Sequence, residues 1–175
     1  MKKKRFIVIG GGAAGVFGAI HIARDNPEAD VLLLEKSPRL LAKVRISGGG
    51  RCNVTHNCFD PKVLVQHYPR GNKELLGPFH RFQAKDTVAW FESRGVQLKA
   101  ESDGRMFPVT DDSQTIIDCL TKALFENGVQ TFTRTAVERV EKAAEGQLFK
   151  IFLKGVEAPL EADSILLATG GGQQN

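Results

Sequence analysis

The sequence predicts an α/β protein built on a parallel sheet, and three observations carry that prediction. The apolar run Phe6-Ile7-Val8-Ile9 has the make-up of a short buried strand and ends directly in Gly10-Gly11-Gly12-Ala13-Ala14-Gly15, a G-x-G-x-x-G string. A second run, Val31-Leu32-Leu33-Leu34, lacks polar alternation, as a strand covered on both faces requires, and closes on Glu35, twenty residues beyond Gly15. A third, Ser164-Ile165-Leu166-Leu167, is followed by the small residues Ala168-Thr169-Gly170.

At the first junction the three fingerprint glycines answer different needs. Gly10 allows a tight strand-to-helix turn, Gly12 leaves room for a pyrophosphate against the backbone, and Gly15 lets the helix pack close to the sheet. Gly10, Gly12, Ala13, Ala14 and Gly15 are therefore candidates for a phosphate-binding turn. A helix N-terminus there offers free N–H groups and the positive end of its dipole, worth about 0.3–1 kcal/mol when exposed. Glu35 suits hydrogen bonds from a ribose diol and would repel a 2′-phosphate, which argues against NADP at this place. A glycine string alone fits a structural turn equally well. Strand, helix and terminal acid together make a βαβ dinucleotide fingerprint, and the Ala-Thr-Gly run favours FAD over NAD, since small residues let the backbone pass close to the cofactor a second time.

The remaining elements follow in order. The first helix continues from Val16 to Arg24 and stops near Asn26-Pro27. Residues 36–58 are expected as an extended loop. Asp60-Pro61 is an N-cap and first-turn pair for a helix to about His67, and Tyr68-Pro69-Arg70-Gly71 breaks it. Asn72 is expected to cap a helix to about Phe82, and Asp86 another over Thr87–Arg94 with Gly95 after it. Val96–Ala100 and Arg105–Pro108 flank Asp103-Gly104 as a small hairpin. Ser113 opens an amphipathic helix with Ile116, Ile117, Leu120, Leu124 and Phe125 on one face, ended by Asn127-Gly128. Gln130–Thr133 is a strand, and Ala136–Ala143, Gln147–Leu153 and Glu157–Leu160 form an antiparallel meander with turns at Glu145-Gly146 and Lys154-Gly155. The expectation is one FAD/NAD(P)-binding domain over 1–175, a Rossmann-like three-layer fold of parallel sheet plus β-meander, with a mainly helical insertion at 59–127. Because no helix follows the 164–167 strand, the fold is expected to be incomplete at its C-terminus, as the N-terminal portion of a longer enzyme.

Composition narrows the class. With 175 residues, 42% of them hydrophobic, the chain can bury a core, and a mean hydropathy of −0.19 suits a soluble protein. Cys52, Cys58 and Cys119 form no metal-ligand pattern and suit a reducing, cytoplasmic setting. Lys2–Arg5 ahead of an uncharged stretch resembles a secretory signal, but five glycines and His21 interrupt it. The net charge of +4 is uneven: residues 36–85 hold ten Lys or Arg against two acids, Asp60 and Glu74. That block fits an anionic ligand, RNA, or a solvated face; no aromatic-interleaved basic motif accompanies it, which argues against a nucleic-acid partner. Cys52 lacks a second cysteine at redox spacing and is expected to pack; His56, His67 and His80 are scattered, and no metal site is expected. Trp90 and Phe91 are expected in the core, and Asp103-Gly104-Arg105 as a turn.

The middle loop, Ile46-Ser47-Gly48-Gly49-Gly50-Arg51-Cys52-Asn53-Val54-Thr55, can turn backbone N–H groups toward an anion or a flavin edge, with Arg51 suited to neutralising a pyrophosphate and Asn53 to hydrogen-bonding a ring or ribityl group. Together with Glu101-Ser102-Asp103-Gly104-Arg105-Met106-Phe107-Pro108-Val109-Thr110, it resembles the aminoacetone-oxidase-like flavoproteins, a family that includes the flavin oxidoreductase of bile-acid dehydroxylation and is often labelled NAD(FAD)-utilizing dehydrogenase. The resemblance spans the whole chain, and Tyr68–His80 looks like one branch of the family. It implies non-covalent FAD, with Gly10, Gly12, Gly15, Glu35 and Lys36 at diphosphate and ribose, and Gly50, Arg51 and Asn53 beside the flavin. It places the Val137 backbone at adenine and Ala168, Thr169 and Gly170 at a second cofactor contact. It also implies a flavin-dependent oxidoreductase moving a hydride between FAD and a small-molecule substrate or NAD(P)H, with a substrate domain in the missing C-terminal part. No catalytic acid or base can be named. Two other readings stand beside this one: a non-catalytic dinucleotide-binding fragment, and, from the basic block, a tRNA-modifying flavoprotein.

Overall fold

The structure is a computed structural model that describes residues 3–142 and 148–171. In chain order the first elements are β1 (Arg5–Ile9), α1 (Ala13–Asp25), β2 (Asp30–Leu34), α2 (Ala42–Ile46), β3 (Thr55–His56), α3 (Pro61–Leu64), α4 (Asn72–Arg81) and α5 (Ala84–Glu92). They are followed by β4 (Leu98–Ala100), β5 (Arg105–Pro108), α6 (Ser113–Glu126), β6 (Gln130–Phe132), β7 (Val137–Lys142), β8 (Phe149–Leu153), β9 (Leu160–Ala162) and β10 (Ser164–Leu167). The chain divides into two compact units, Met1–Val44 with Leu120–Asn175, and Arg45–Cys119.

The first unit is a Rossmann-like α/β domain. Its parallel sheet has the order β10-β1-β2-β6, with Phe6–Ile9 opposite Val31–Leu34 on one side and Ser164–Leu167 on the other. Strand periodicity sends alternate side chains to opposite faces. Ile7, Ile9, Leu32, Leu34 and Ile165 meet Ile151, Ala162, Val137, Val140, Phe149, Leu153 and Leu160 of the antiparallel sheet β7-β8-β9. On the opposite face β1 and β2 contact α1, whose Val16, Ala19, Ile20 and Ala23 are buried, as are Val8, Val31 and Leu33. Each such aliphatic side chain contributes about 1.5–3 kcal/mol on full burial. Gly18 sets how near α1 can come: a Cβ there would lie 2.5 Å from Leu166 Cδ2. Asn26 ends α1, its Nδ2 donating to the Ile22 carbonyl at 2.9 Å just before Pro27.

Of the meander, the Lys154-Gly155 turn is present with Gly155 at φ 75°, whereas the turn expected at Glu145-Gly146 lies outside the described residues. The last meander strand is Leu160–Ala162, slightly later than the expected Glu157–Leu160, because Ala162 packs into the core while Val156 and Glu157 stay exposed. The β7–β8 ladder shifts register between Val137 and Arg139.

The second unit holds the antiparallel sheet β3-β5-β4 and the helices α3 to α5. The expected hairpin is β4–β5; the two-residue β3 adds a third strand. Phe107 is fully buried, and Met106, Trp90, Phe91, Val96, Leu64 and Val65 are also buried. Asp60 caps α3 as expected, its Oδ1 accepting from the Lys62 amide at 2.8 Å.

Four further local expectations are corrected. Residues 36–58 are not one extended loop: Ala42–Ile46 are helical and Ser47–Gly50 form a 3-10 turn, where Gly48 and Gly49 take left-handed angles. Gly71, at φ 76°, is the cap of α4, and Asn72 is its first helical residue. Asp86 is the third residue of α5 and not its cap: its Oδ2 accepts from the Gln83 amide at 2.8 Å, completing a capping box. On α6, Asp112 Oδ1 accepts from the Gln114 amide at 2.8 Å, and Ile116, Ile117, Leu120, Ala123 and Leu124 are buried. Phe125 does not share that stripe; it is 85% exposed, since one residue beyond Leu124 turns about 100° further round the helix. Among the described residues no helix is long and apolar enough to cross a membrane, and no group of three or more His, Cys, Asp or Glu could hold a metal ion.

Candidate dinucleotide site

The site in the first unit grows from the β1–α1 junction. Gly10 extends β1 by one bond, its amide donating to the Leu34 carbonyl at 2.8 Å, and then turns with φ 112°, an angle L side chains rarely adopt. Two further close approaches hold the turn: a Cβ on Gly10 would sit 2.3 Å from the Ala168 carbonyl oxygen, and one on Gly15 would sit 1.8 Å from the Gly10 carbonyl oxygen. Gly12 is different. Its backbone is extended, it caps α1 without a side chain, and nothing lies within 4 Å of where its Cβ would stand. The first-turn amides of α1 have no carbonyl one turn back to bond, and Ala13 and Ala14 around them are exposed. Helix geometry thus directs a set of N–H groups and the positive dipole end into open space.

Glu35 stands beside this opening. Its Oε2 accepts from the Gly11 amide at 2.6 Å and its Oε1 from the Ser37 amide at 2.7 Å. Burial pushes its carboxyl upward, but the bonds from Ser37 and Gly11 outweigh that and hold it below the usual glutamate range. The carboxylate is therefore charged at neutral pH and keeps unused lone pairs. Lys36, next along, is exposed. On the other side the Leu41 amide donates to the Gly11 carbonyl at 2.8 Å, with Leu41 buried at φ 59°. The β10 end closes the junction: the Ala168 amide donates to Ile9 at 2.9 Å, Gly170 turns at φ 71°, and Lys43 Nζ donates to the Gly171 carbonyl at 3.0 Å. Gly10, Gly12, Ala13, Ala14, Gly15 and Glu35 thus share one junction with Ala168, Thr169 and Gly170. Val137 lies on the meander where the ladder slips, packed against the Ile7–Ile9–Leu32–Leu34 cluster. Gly11, Ser37 and Leu41 were not singled out from sequence; backbone amides that anchor a carboxylate leave no side-chain signature.

Gly50, Arg51 and Asn53 belong to the second unit. Gly48, Gly49 and Gly50 have φ of 56°, 70° and 88°. A Cβ on Gly48 would lie 2.8 Å from Phe107 Cε1, whereas Gly49 and Gly50 face open space. The Arg51 guanidinium lies 4.0 Å over the Phe107 ring, donates to Glu101 Oε1 at 2.5 Å and stands 3.8 Å from Asp111. The Glu101 hydrogen bond first, then the surrounding carboxylates, hold its proton more firmly than usual. The charge that the sequence suggests for a pyrophosphate is here neutralised by Glu101 and Asp111, partners far from Arg51 in sequence. Asn53 is exposed. Cys52 is buried, and burial pushes its thiol upward against a smaller effect of Ser47, so it is not a reactive thiolate at neutral pH.

A βαβ glycine turn with a bare helix N-terminus, an acid ending the second strand and a meander on the sheet define a dinucleotide-binding Rossmann-like domain. The chain belongs to the family described as the HI0933-like protein Rossmann domain, which matches residues 4–174. It is 31% identical over 167 residues to a 3-dehydro-bile acid delta(4,6)-reductase of Clostridium scindens, covering 95% of this chain and 39% of that protein. It is 29% identical over 171 residues to a ribosomal RNA dihydrouridine synthase of Escherichia coli, covering 98% and 40%. The chain therefore spans about two fifths of the length of these curated relatives. Among solved structures it is similar to 3-ketosteroid-delta4-(5alpha)-dehydrogenase from Rhodococcus jostii, with a TM-score of 0.74 at 16% identity over 97% of this chain and 47% of that one. It is also similar to a flavocytochrome c3 fumarate reductase, with a TM-score of 0.67 at 21% identity over 97% and 34%. These likenesses show the fold.

Proposed function

We propose that the chain is the FAD-binding portion of a flavin-dependent reductase. The observation that carries this reading is the open space at Gly12, faced by the first-turn amides of α1 and flanked by the ionised Glu35. A diphosphate fits the first and a ribose diol the second. The residues of the first unit that would hold FAD are Gly10, Gly12, Ala13, Ala14, Gly15, Glu35 and Lys36, the Val137 backbone, Ala168, Thr169 and Gly170.

When bound, FAD supplies hydride chemistry, and NAD(P)H is the donor that would replenish it. The names of the two curated relatives share one reaction class. Reducing a delta(4,6)-unsaturated 3-dehydro bile acid and converting uridine to dihydrouridine both saturate a carbon–carbon double bond conjugated to a carbonyl. We assign that class to the whole protein: the alkene gains one hydride and one proton, and NAD(P)H is oxidised overall. The test is direct. The purified chain mixed with FAD should retain a yellow, protein-bound flavin through gel filtration; a colourless protein would overturn the reading. A second branch, in which the conjugated alkene belongs to a base within RNA, is favoured by the excess of basic residues in the 36–85 block, ten Lys or Arg against two acids.

A further inference from the structure

We propose that the exposed face of residues 59–85, spanning α3, α4 and the start of α5, is a docking surface for single-stranded RNA. This deepens the RNA branch above and does not depend on flavin binding. Lys62, Arg70, Lys73, Arg81 and Lys85 are all exposed, and among the described residues none of them enters an ion pair. Elsewhere in the same unit Arg51, Lys99 and Arg105 are matched by Glu101, Asp103 and Asp111, while Arg45 donates to Gln114 Oε1 and Arg94 to the Trp90 carbonyl. The carboxylates of Asp60 and Asp86 are engaged with backbone amides at helix starts, which leaves Glu74 as the acid free of such a role.

Helix stability accounts for Arg81, in the last turn of α4, but not for Lys73 and Lys85. Lys73 and Lys85 are the second residues of α4 and α5, at the positive end of each dipole, where a cation opposes the helix. Aromatic rings stand among them. Tyr68 is 40% exposed, with the Phe79 ring 5.5 Å away, and Phe82 is 39% exposed. Phe59 is 43% exposed, and its carbonyl accepts from Gln83 Nε2 at 2.9 Å, beside Phe82. α3 and α4 contact each other across the corner at Gly71, so cations and rings spaced along the chain are brought onto neighbouring elements. Cations that follow a phosphate backbone, with ring faces on which bases stack, are what single-stranded nucleic acid requires. A bilayer would require an outward apolar stripe; Leu75, Leu76 and Phe79 of α4 are half-buried and its outward residues are polar or small.

The experiment measures binding of a labelled oligouridine to the whole chain by fluorescence anisotropy across a salt series, with a matched oligothymidine and phosphatidylserine vesicles as parallel arms. The intact chain should bind the RNA in a strongly salt-dependent way. Lys73→Glu combined with Lys85→Glu should weaken it at least about tenfold and lower the log–log salt slope by about 1.4, two phosphate contacts at ~0.7 each. The same substitutions should hold or raise the melting temperature, because acids suit helix starts, so lost binding cannot be lost folding. Tyr68→Leu, which keeps bulk and removes the ring, should weaken binding about fivefold or more without changing the slope. Lys150→Glu, at an exposed position of β8, should leave binding unchanged. RNA binding that survives the double reversal, or that Lys150→Glu weakens equally, would overturn the surface and leave the RNA branch standing. Absence of any RNA binding would overturn both, with retained flavin still supporting the reductase reading. Binding to vesicles or oligothymidine in preference to RNA would overturn the assignment of the occupant.

Discussion

Replacing Gly12 with Asp puts a carboxylate into the open space at the head of α1, where no atom beyond the adjoining residues lies within 4 Å of the new Cβ. The fold should not object, since Gly12 has an ordinary extended backbone and Asp is a favoured N-cap that changes stability by only a few tenths of a kcal/mol, about 0.3, relative to glycine. A diphosphate should object strongly. One carboxylate charge about 4 Å from one phosphate charge, at an effective dielectric of about 20, costs about 4 kcal/mol, or roughly a thousandfold in affinity. Gly15→Ala is the counterpart. Its Cβ would lie 1.8 Å from the Gly10 carbonyl oxygen, a backbone atom that cannot swing aside, so overpacking should cost about 1–3 kcal/mol or more. Urea titration followed by circular dichroism, with flavin retention read in the visible band, separates the two effects. Gly12→Asp should melt like the unmodified chain and emerge colourless; Gly15→Ala should lose stability. Full flavin retention by Gly12→Asp, or a loss of stability matching that of Gly15→Ala, would refute the assignment of the open space to the cofactor.

Three further outcomes are expected. Glu35 has a folded-state pKa below its unfolded value, so its stabilisation is present above the ordinary glutamate range and is lost as pH falls through the folded value. Glu35→Gln should therefore destabilise the chain at neutral pH by roughly 1 kcal/mol or less, allowing for solvent screening, and the difference should vanish in acid; a pH-independent difference in urea midpoints would contradict the two amide bonds. In the native protein Cys58, which is half-buried, should be alkylated by iodoacetamide before Cys52 and Cys119, which are buried; mass mapping that finds Cys52 first would contradict its raised thiol pKa. Phe107→Ala should cost about 3–5 kcal/mol, because the ring is fully buried and both Arg51 and Arg105 lie over it; a loss well under that range in a denaturant titration would show the second unit is not built on this ring.

What could be read from the sequence follows the range of the interactions involved. The β1–α1–β2 unit is legible because its signals are local: an unbroken apolar run, glycines at fixed offsets, and an acid at the strand end. The meander is legible from alternation and turns. The two-residue β3 is not, because Thr55 and His56 owe their conformation to Met106 and Arg105, about fifty residues away. The same holds for Arg51, whose neighbours in sequence suggest an anion site while Glu101 and Phe107 supply its actual partners. Where local chemistry permits two answers, as with Gln83 and Asp86 both able to serve the start of α5, the choice falls to the longer capping box.

The register of the parallel sheet has a consequence for how the molecule assembles. β1 is flanked by β2 on one side and by β10 on the other, and Phe6 pairs with Ser164. During synthesis the first strand waits, half of its edge unpaired, until nearly the whole described chain has left the ribosome. Contacts of such long sequence separation raise the contact order, which slows folding. One edge of β1 therefore stays open until β10 has been made, and a chaperone that shields exposed strand edges would find one there in the meantime.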